Sequence, residues 1–179
     1  MLPPTIPPGS DEYAPAYRAY VTKVPAGNVV ELLERQGAAT AALLAGVTPD
    51  RARYRYAPGK WSVTEIIGHL SDAERIFAYR ALRIARCDET PLPGFDENAY
   101  TPAGEFDRRE LHDVAHELAL VRAGTVALFR GLPDQAWSRR GTASNHPVSV
   151  RAMAHIIAGH ELHHLEVLRT RYRFGAKTT

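Results

Sequence analysis

The run His160, Glu161, Leu162, His163, His164 spells HExxH, the helical pattern in which two histidines one turn apart bind zinc and the glutamate activates water. A zinc protease of that kind takes a third ligand downstream. Here fifteen residues follow His164, Glu166 is too near, and no GxxH continuation exists. No edge strand is expected to hold a peptide, so a protease is set aside and a third ligand must come from upstream. A ferritin-type di-iron site needs Glu-x-x-His on two helices, and only Glu161 to His164 qualifies.

Direction sorts the eight histidines. At about 100° per residue, the apolar face around His160 centres on Ile157 and holds Val150, Met153, Val167 and Leu168. His160 and His164 fall inside that arc, His163 at its edge and His155 on the opposite, solvated side. A buried imidazole without a partner costs about 1–3 kcal/mol, and i, i+4 spacing suits a shared metal. The same wheel centred on Ile66 places His69 inward with Leu70, Ala73, Ile76 and Phe77. If the two helices run parallel, His69 and His160 differ in level by about one turn of 1.5 Å per residue rise. Three neutral imidazoles would leave coordination positions open, the pattern of a catalytic metal site. His112 and His116 share the spacing but lie opposite the stripe of Leu111, Val114, Leu118, Val121 and Leu128, so they read as surface residues. The residues alone leave two readings: a metal centre, or core histidines bonded to carboxylates such as Glu74 or Glu161. Glu161 points inward and is the first candidate for proton transfer at a metal-bound nucleophile.

These residues need helices to carry them, and four segments have helix signals. Asn28 with Glu31 opens the first, running to about Gly46. Ser62 with Glu65 opens the second, ending near Cys87. Asp107 with Glu110 opens the third, stopping at Gly131 and Pro133, and Ser149 caps the fourth, reaching about Tyr172. The expected fold is all-α, an up-down-up-down four-helix bundle spanning residues 26–175, preceded by a proline-rich N-terminal arm over residues 1–25 with Pro3, Pro4, Pro7, Pro8 and Pro15. No stretch alternates as a strand. The long loop from Asp88 to Phe106 is expected to cross one end of the bundle.

Composition narrows the partners. The chain has 179 residues, 45% hydrophobic and 23% charged, enough for one domain with its own core. A net charge of +2 gives no broad reason for nucleic-acid binding, and the longest apolar stretch, Gly37 to Pro49, is too short for a membrane span. The single Cys87 cannot form an internal disulfide and no secretory leader opens the chain, so a cytoplasmic location is expected.

At GlyLysTrpSerValThrGluIleIleGlyHisLeuSerAspAlaGlu and at AlaHisIleIleAlaGlyHisGluLeuHisHis, the sequence resembles the DinB-like superfamily, which includes the YfiT type of metal-dependent hydrolases. The likeness runs from about Val29 to Tyr172. It implies a four-helix bundle, commonly a homodimer, with a divalent metal such as nickel or zinc on one histidine of the second helix and an HxxxH pair of the fourth. Those positions are His69, His160 and His164. The superfamily also contains S-transferases that use bacillithiol and mycothiol-dependent isomerases, so a low-molecular-weight thiol is an implied cosubstrate. The expected function is metal-dependent hydrolysis or thiol transfer on a small molecule, with a non-catalytic metal- or ligand-binding stress protein as the alternative.

Lesser candidates follow from position. Arg80 falls in the inward arc, where it either pairs with a carboxylate or binds an anionic substrate group. Trp61 either stacks on a ligand or packs on a neighbouring helix end. Phe95, Asp96, Asn98 and Tyr100 are candidates for the pocket mouth, and Cys87 reads as an ordinary buried cysteine.

Overall fold

Three of the four long helices start on the capping residues expected of them. In α1 (Val29–Leu44), Asn28 Oδ1 accepts from the Val30 N–H at 2.9 Å. In α2 (Val63–Ala85), Ser62 and Glu65 form a reciprocal capping box at 3.0 and 2.8 Å. In α4 (Val150–Thr170), Ser149 Oγ accepts from the Ala152 N–H at 3.0 Å. The third, α3 (Leu111–Arg130), starts at Glu110 rather than Asp107. Asp107 sits instead in a 3-10 turn and accepts from Ser62 Oγ and, at 2.6 Å, from Arg55, tying this loop to the start of α2. The computed structural model describes residues 3–174, so the first two residues of the arm and the expected domain end at 175 lie outside the described residues.

The four helices form a bundle, as expected, but in the order up, down, down, up. Gln36 donates to the Ala158 carbonyl at 3.0 Å and, one turn on, Thr40 donates to Glu161 at 2.6 Å, so α1 and α4 run parallel. Arg75 pairs with Glu117 at 2.7 Å, while further along both helices Phe77 and Ala81 pack in one cluster with Val126 and Phe129, so α2 and α3 also run parallel. Tyr172 Oη donates to the Trp61 carbonyl and Arg139 to the Ala85 carbonyl, which sets α4 antiparallel to α2. The expectation of alternating directions fails because the segment between α2 and α3 runs along the bundle instead of crossing its end. It contains a short helix, Glu97–Ala103, and returns the chain to the level where α2 began.

One small sheet was not expected. β1 (Arg140–Ala143) pairs antiparallel with β2 (His146–Ser149) through a two-residue turn, Ser144–Asn145, whose residues have positive φ of 52° and 64°. Strands of four residues show too little alternation to be legible, and the turn lacks the glycine that usually marks such hairpins.

Two apolar clusters fill the bundle. One gathers Phe77, Ile84, Phe129, Trp137, Met153 and Ile157, and the other Ile66, Leu70, Val114, Leu118, Leu165 and Leu168. Between them runs a buried polar layer. Arg122 donates to both oxygens of Glu74 at 2.8 and 2.7 Å, to Glu161 at 2.7 Å and to the Leu33 carbonyl at 3.0 Å.

The proline-rich arm lies across the bundle. Glu12 is buried, accepts from Arg151 at 2.6 Å, and its carbonyl accepts from the Ser149 N–H at 3.1 Å. The short helix Arg18–Val21 then rests on α4, at a contact only glycine permits: a Cβ on Gly159 would come within 2.1 Å of the Tyr20 carbonyl oxygen. Gly159→Ala should therefore dislodge the arm and destabilise the protein by roughly 1–3 kcal/mol. Denaturant unfolding checks this, and wild-type stability would contradict it.

Candidate metal centre

The antiparallel pairing of α2 and α4 brings three histidines to one level. From the contact of Trp61 with Tyr172, His69 lies eight residues along α2 and His164 eight residues back along α4, with His160 a turn beyond. His160 is the middle residue of its helix, so its level is the same counted from either end. The expected meeting therefore holds although the helix directions differ from those assumed.

His69 Nε2 stands 3.0 Å from His160 Nε2, and His164 Nε2 stands 3.1 Å from it. The ligand atoms of the three rings all lie within 4.8 Å of one another. Two nitrogens each about 2.0–2.1 Å from a common ion would be separated by about 2.8–3.4 Å for angles between 90° and tetrahedral, so the two distances to His160 match neighbouring ligands of one divalent metal. Burial pushes the His69 imidazole down to about 4, and burial followed by the neighbouring His69 and His163 pushes that of His164 down to about 3. His160 is held well below its ordinary value by burial and then by His164, His69 and His163. All three are neutral at pH 7, the state in which imidazole binds metal.

Aromatic rings hold the imidazoles in place. Trp61 packs on His69 with centroids 4.8 Å apart, while Tyr20 from the arm and Phe77 stand edge-on to His160 at 5.2 and 6.0 Å. His69 and His160 line a cavity of about 250 Å³ together with Tyr17, Tyr20, Phe77, Phe95, Glu97 and Ser144. A second recess of about 290 Å³ lies on the other side, lined by Trp61, Lys60, Asn98, His163, His164 and Tyr172.

Other expected residues fall in different places. Glu161 is directed away from proton transfer: Thr40 and Arg122 engage its two oxygens, and its work is to neutralise Arg122. Glu74 is committed to the same guanidinium, so neither acid is the histidines' partner. His155 is buried rather than solvated, because the arm covers that side of α4; its Nδ1 lies 2.9 Å from the Arg151 carbonyl. His163 is half-buried against Tyr20 at 5.3 Å, and His112 and His116 are exposed. Arg80 is 2% exposed and has no carboxylate partner among the described residues, against one of the two readings made for it. Cys87 is exposed, not buried, because it follows the end of α2 with a left-handed φ of 61°. Of the loop candidates, Phe95 lines the cavity beside His160, Asn98 lines the second recess, Asp96 caps the Glu97–Ala103 helix and Tyr100 packs on Phe95 at 5.5 Å.

Sequence reasoning missed Tyr20, Glu97 and Ser144 on the cavity wall, since none lies on a bundle helix. It also missed Arg122, for which a signal existed: the buried stripe of α3 runs Leu111, Val114, Leu118, Arg122, Val126, Phe129, with an arginine in an apolar row.

The fold and the three-histidine cluster together define a four-helix bundle with a group of imidazoles between two of its helices that could hold a metal ion. Residues 32–168 match the model of the DinB superfamily, and the chain belongs to that superfamily. Among solved structures it is similar to YfiT from Bacillus subtilis, described as a probable metal-dependent hydrolase with an unusual four-helix bundle topology. That likeness has 21% identity and a TM-score of 0.71 and covers 88% of this chain and 93% of the other. It is also similar to a mycothiol-dependent maleylpyruvate isomerase, at 15% identity and a TM-score of 0.66, covering 89% of this chain and 64% of that one. At these identities the likeness is one of fold. No curated protein matches the chain by sequence.

The depressed histidines make a pH prediction for chelator-treated protein. Unfolded histidines take up protons near pH 6.5, whereas folded His69 and His164 do so only at about 4 and 3. Between these values the unfolded state binds more protons, so stability is full above pH 6.5 and falls as pH drops. The unfolding free energy should decline by up to about 1.4 kcal/mol per pH unit for each such histidine. Denaturant melts from pH 7 to 4 should show this slope, reduced in His69→Ala; a flat profile, or an unchanged slope in the variant, would contradict it.

Proposed function

We propose that His69, His160 and His164 bind one divalent ion, nickel or zinc, and that the protein is a metal-dependent hydrolase or thiol S-transferase acting on a small molecule. The observation that carries this reading is the convergence of three neutral imidazoles with no carboxylate or carbonyl between them, His69 and His160 on the wall of a cavity of about 250 Å³ and His164 on the wall of the recess of about 290 Å³. A closed structural site would use four protein ligands. When bound, the ion lowers the pKa of a coordinated water or of a low-molecular-weight thiol such as bacillithiol, so that it can act as a nucleophile.

The chain's own residues do the rest. Burial keeps the imidazoles unprotonated, and Trp61, Tyr20 and Phe77 fix their rings and exclude water from that side. Glu97 is the carboxylate on the cavity wall, and it replaces Glu161 as the group placed to accept a proton from the nucleophile. Likeness to an enzyme named as mycothiol-dependent supports the thiol branch, and likeness to a probable metal-dependent hydrolase supports the other. In this reading residues 26–175 are the metal-binding domain, residues 1–25 are an arm that closes it, and the protein works as a cytoplasmic homodimer with no nucleic-acid or membrane partner. No helix among the described residues is long and apolar enough to cross a membrane.

Nickel- or zinc-loaded protein should be assayed with thiols plus electrophiles and with activated esters and amides. Turnover is expected in one of these series, falling at least about 100-fold in His69→Ala and in Glu97→Gln while helical content stays unchanged. Turnover indifferent to metal and to His69→Ala would contradict the reading.

A further inference from the structure

Two arginines are buried in this bundle and the protein treats them differently. Arg122 is 4% exposed and faces two carboxylates. Arg80 is 2% exposed and faces none among the described residues. Its Nη2 donates to the Pro93 carbonyl at 2.7 Å and to Ser144 Oγ at 3.1 Å, and its guanidinium carbon stands 5.8 and 5.7 Å from the ring centres of Phe77 and Phe95. All of these partners are neutral. A buried guanidinium without a counter-charge is unfavourable unless something else supplies the anion.

What surrounds Arg80 also surrounds the cavity. Phe77, Phe95 and Ser144 line the same space as His69 and His160. Ser144 Oγ accepts from Arg80, which leaves its hydroxyl proton free to be donated elsewhere. The serine is held there at a cost, with a left-handed φ of 52° that favours glycine, asparagine or aspartate, and the Leu92 carbonyl accepts its N–H at 3.0 Å. A hydroxyl polarised by a buried cation behind it thus stands on the wall that His69 and His160 share, beside aromatic faces.

We propose that Arg80 and Ser144 form a carboxylate-binding subsite, so that the substrate is a small organic acid whose anionic group docks on the Ser144 hydroxyl backed by Arg80, with its apolar body against Phe77 and Phe95 and its reacting end toward the histidines. This rests on the reading of the cavity as the substrate site. The volume agrees: an apolar cavity of about 150 Å³ accepts benzene, so about 250 Å³ holds a ring or short chain bearing a carboxylate.

Benzoate and its neutral isostere benzamide test the subsite by titration calorimetry, first on chelator-treated protein and then on zinc-loaded protein. Metal-free protein is expected to bind benzoate about tenfold or more tightly than benzamide, the gain of a charge-assisted hydrogen bond over a neutral one. Arg80→Met and Ser144→Ala should each remove most of that preference, weakening benzoate binding several-fold more than benzamide binding. Arg80→Met should also melt no lower than wild type, because it replaces an uncompensated buried charge with an apolar chain. Should it not fold, Ser144→Ala carries the comparison. A benzoate preference that appears only with zinc, one that survives both substitutions, or binding of neither probe would overturn the subsite. Because the metal-free arm contains no ion, failure of the metal centre leaves this result readable.

Discussion

The guanidinium of Arg122 is the point at which all four helices are held in one register. It reaches Glu74 on α2, Glu161 on α4 and the Leu33 carbonyl on α1 from its own place on α3, and Thr40 of α1 closes the ring onto Glu161. The layer lies between two apolar clusters, where water cannot substitute for a lost partner. Removing one member of a buried ion network of this kind costs about 3–5 kcal/mol, because the others are left charged and unpaired. Apolar side chains tolerate small slips along a helix, whereas five directional hydrogen bonds do not.

The histidine cluster depends on that register. His160 precedes Glu161 on α4, and His69 lies little more than a turn before Glu74 on α2. Fixing the two acids on Arg122 therefore fixes the axial level of the histidines carried by the same helices. The acids serve the bundle and the imidazoles are left to one another, so the HExxH spelling divides its work between two unrelated tasks. The arm adds the remaining wall, with Tyr20 against His160 and Gly159 permitting the approach.

Much of this was legible because helix periodicity is a local property. The caps at Asn28, Ser62 and Ser149, the inward faces of His69, His160 and His164, and the exposure of His112 and His116 all follow from spacing along single helices. What was not legible depends on how segments meet. The direction of α3 is set by the path of the segment after Ala85, and His155 is buried by an arm far away in sequence. Glu161 could be read as inward but not as facing α1 and α3 rather than the histidines, since inward has several directions in a bundle. Arg122 was overlooked because a charged residue in an apolar row invites exclusion from the stripe, when it marks the stripe's polar layer.

The central claim is that the three imidazoles share one ion. Elemental analysis of protein purified without a histidine tag or chelator tests it most directly, compared with His69→Ala and with the double variant His160→Ala/His164→Ala. The account predicts about one nickel, zinc or similar ion per chain, absent from both variants while the bundle stays folded. No metal even after incubation with each ion, or the same content in the variants, would contradict it.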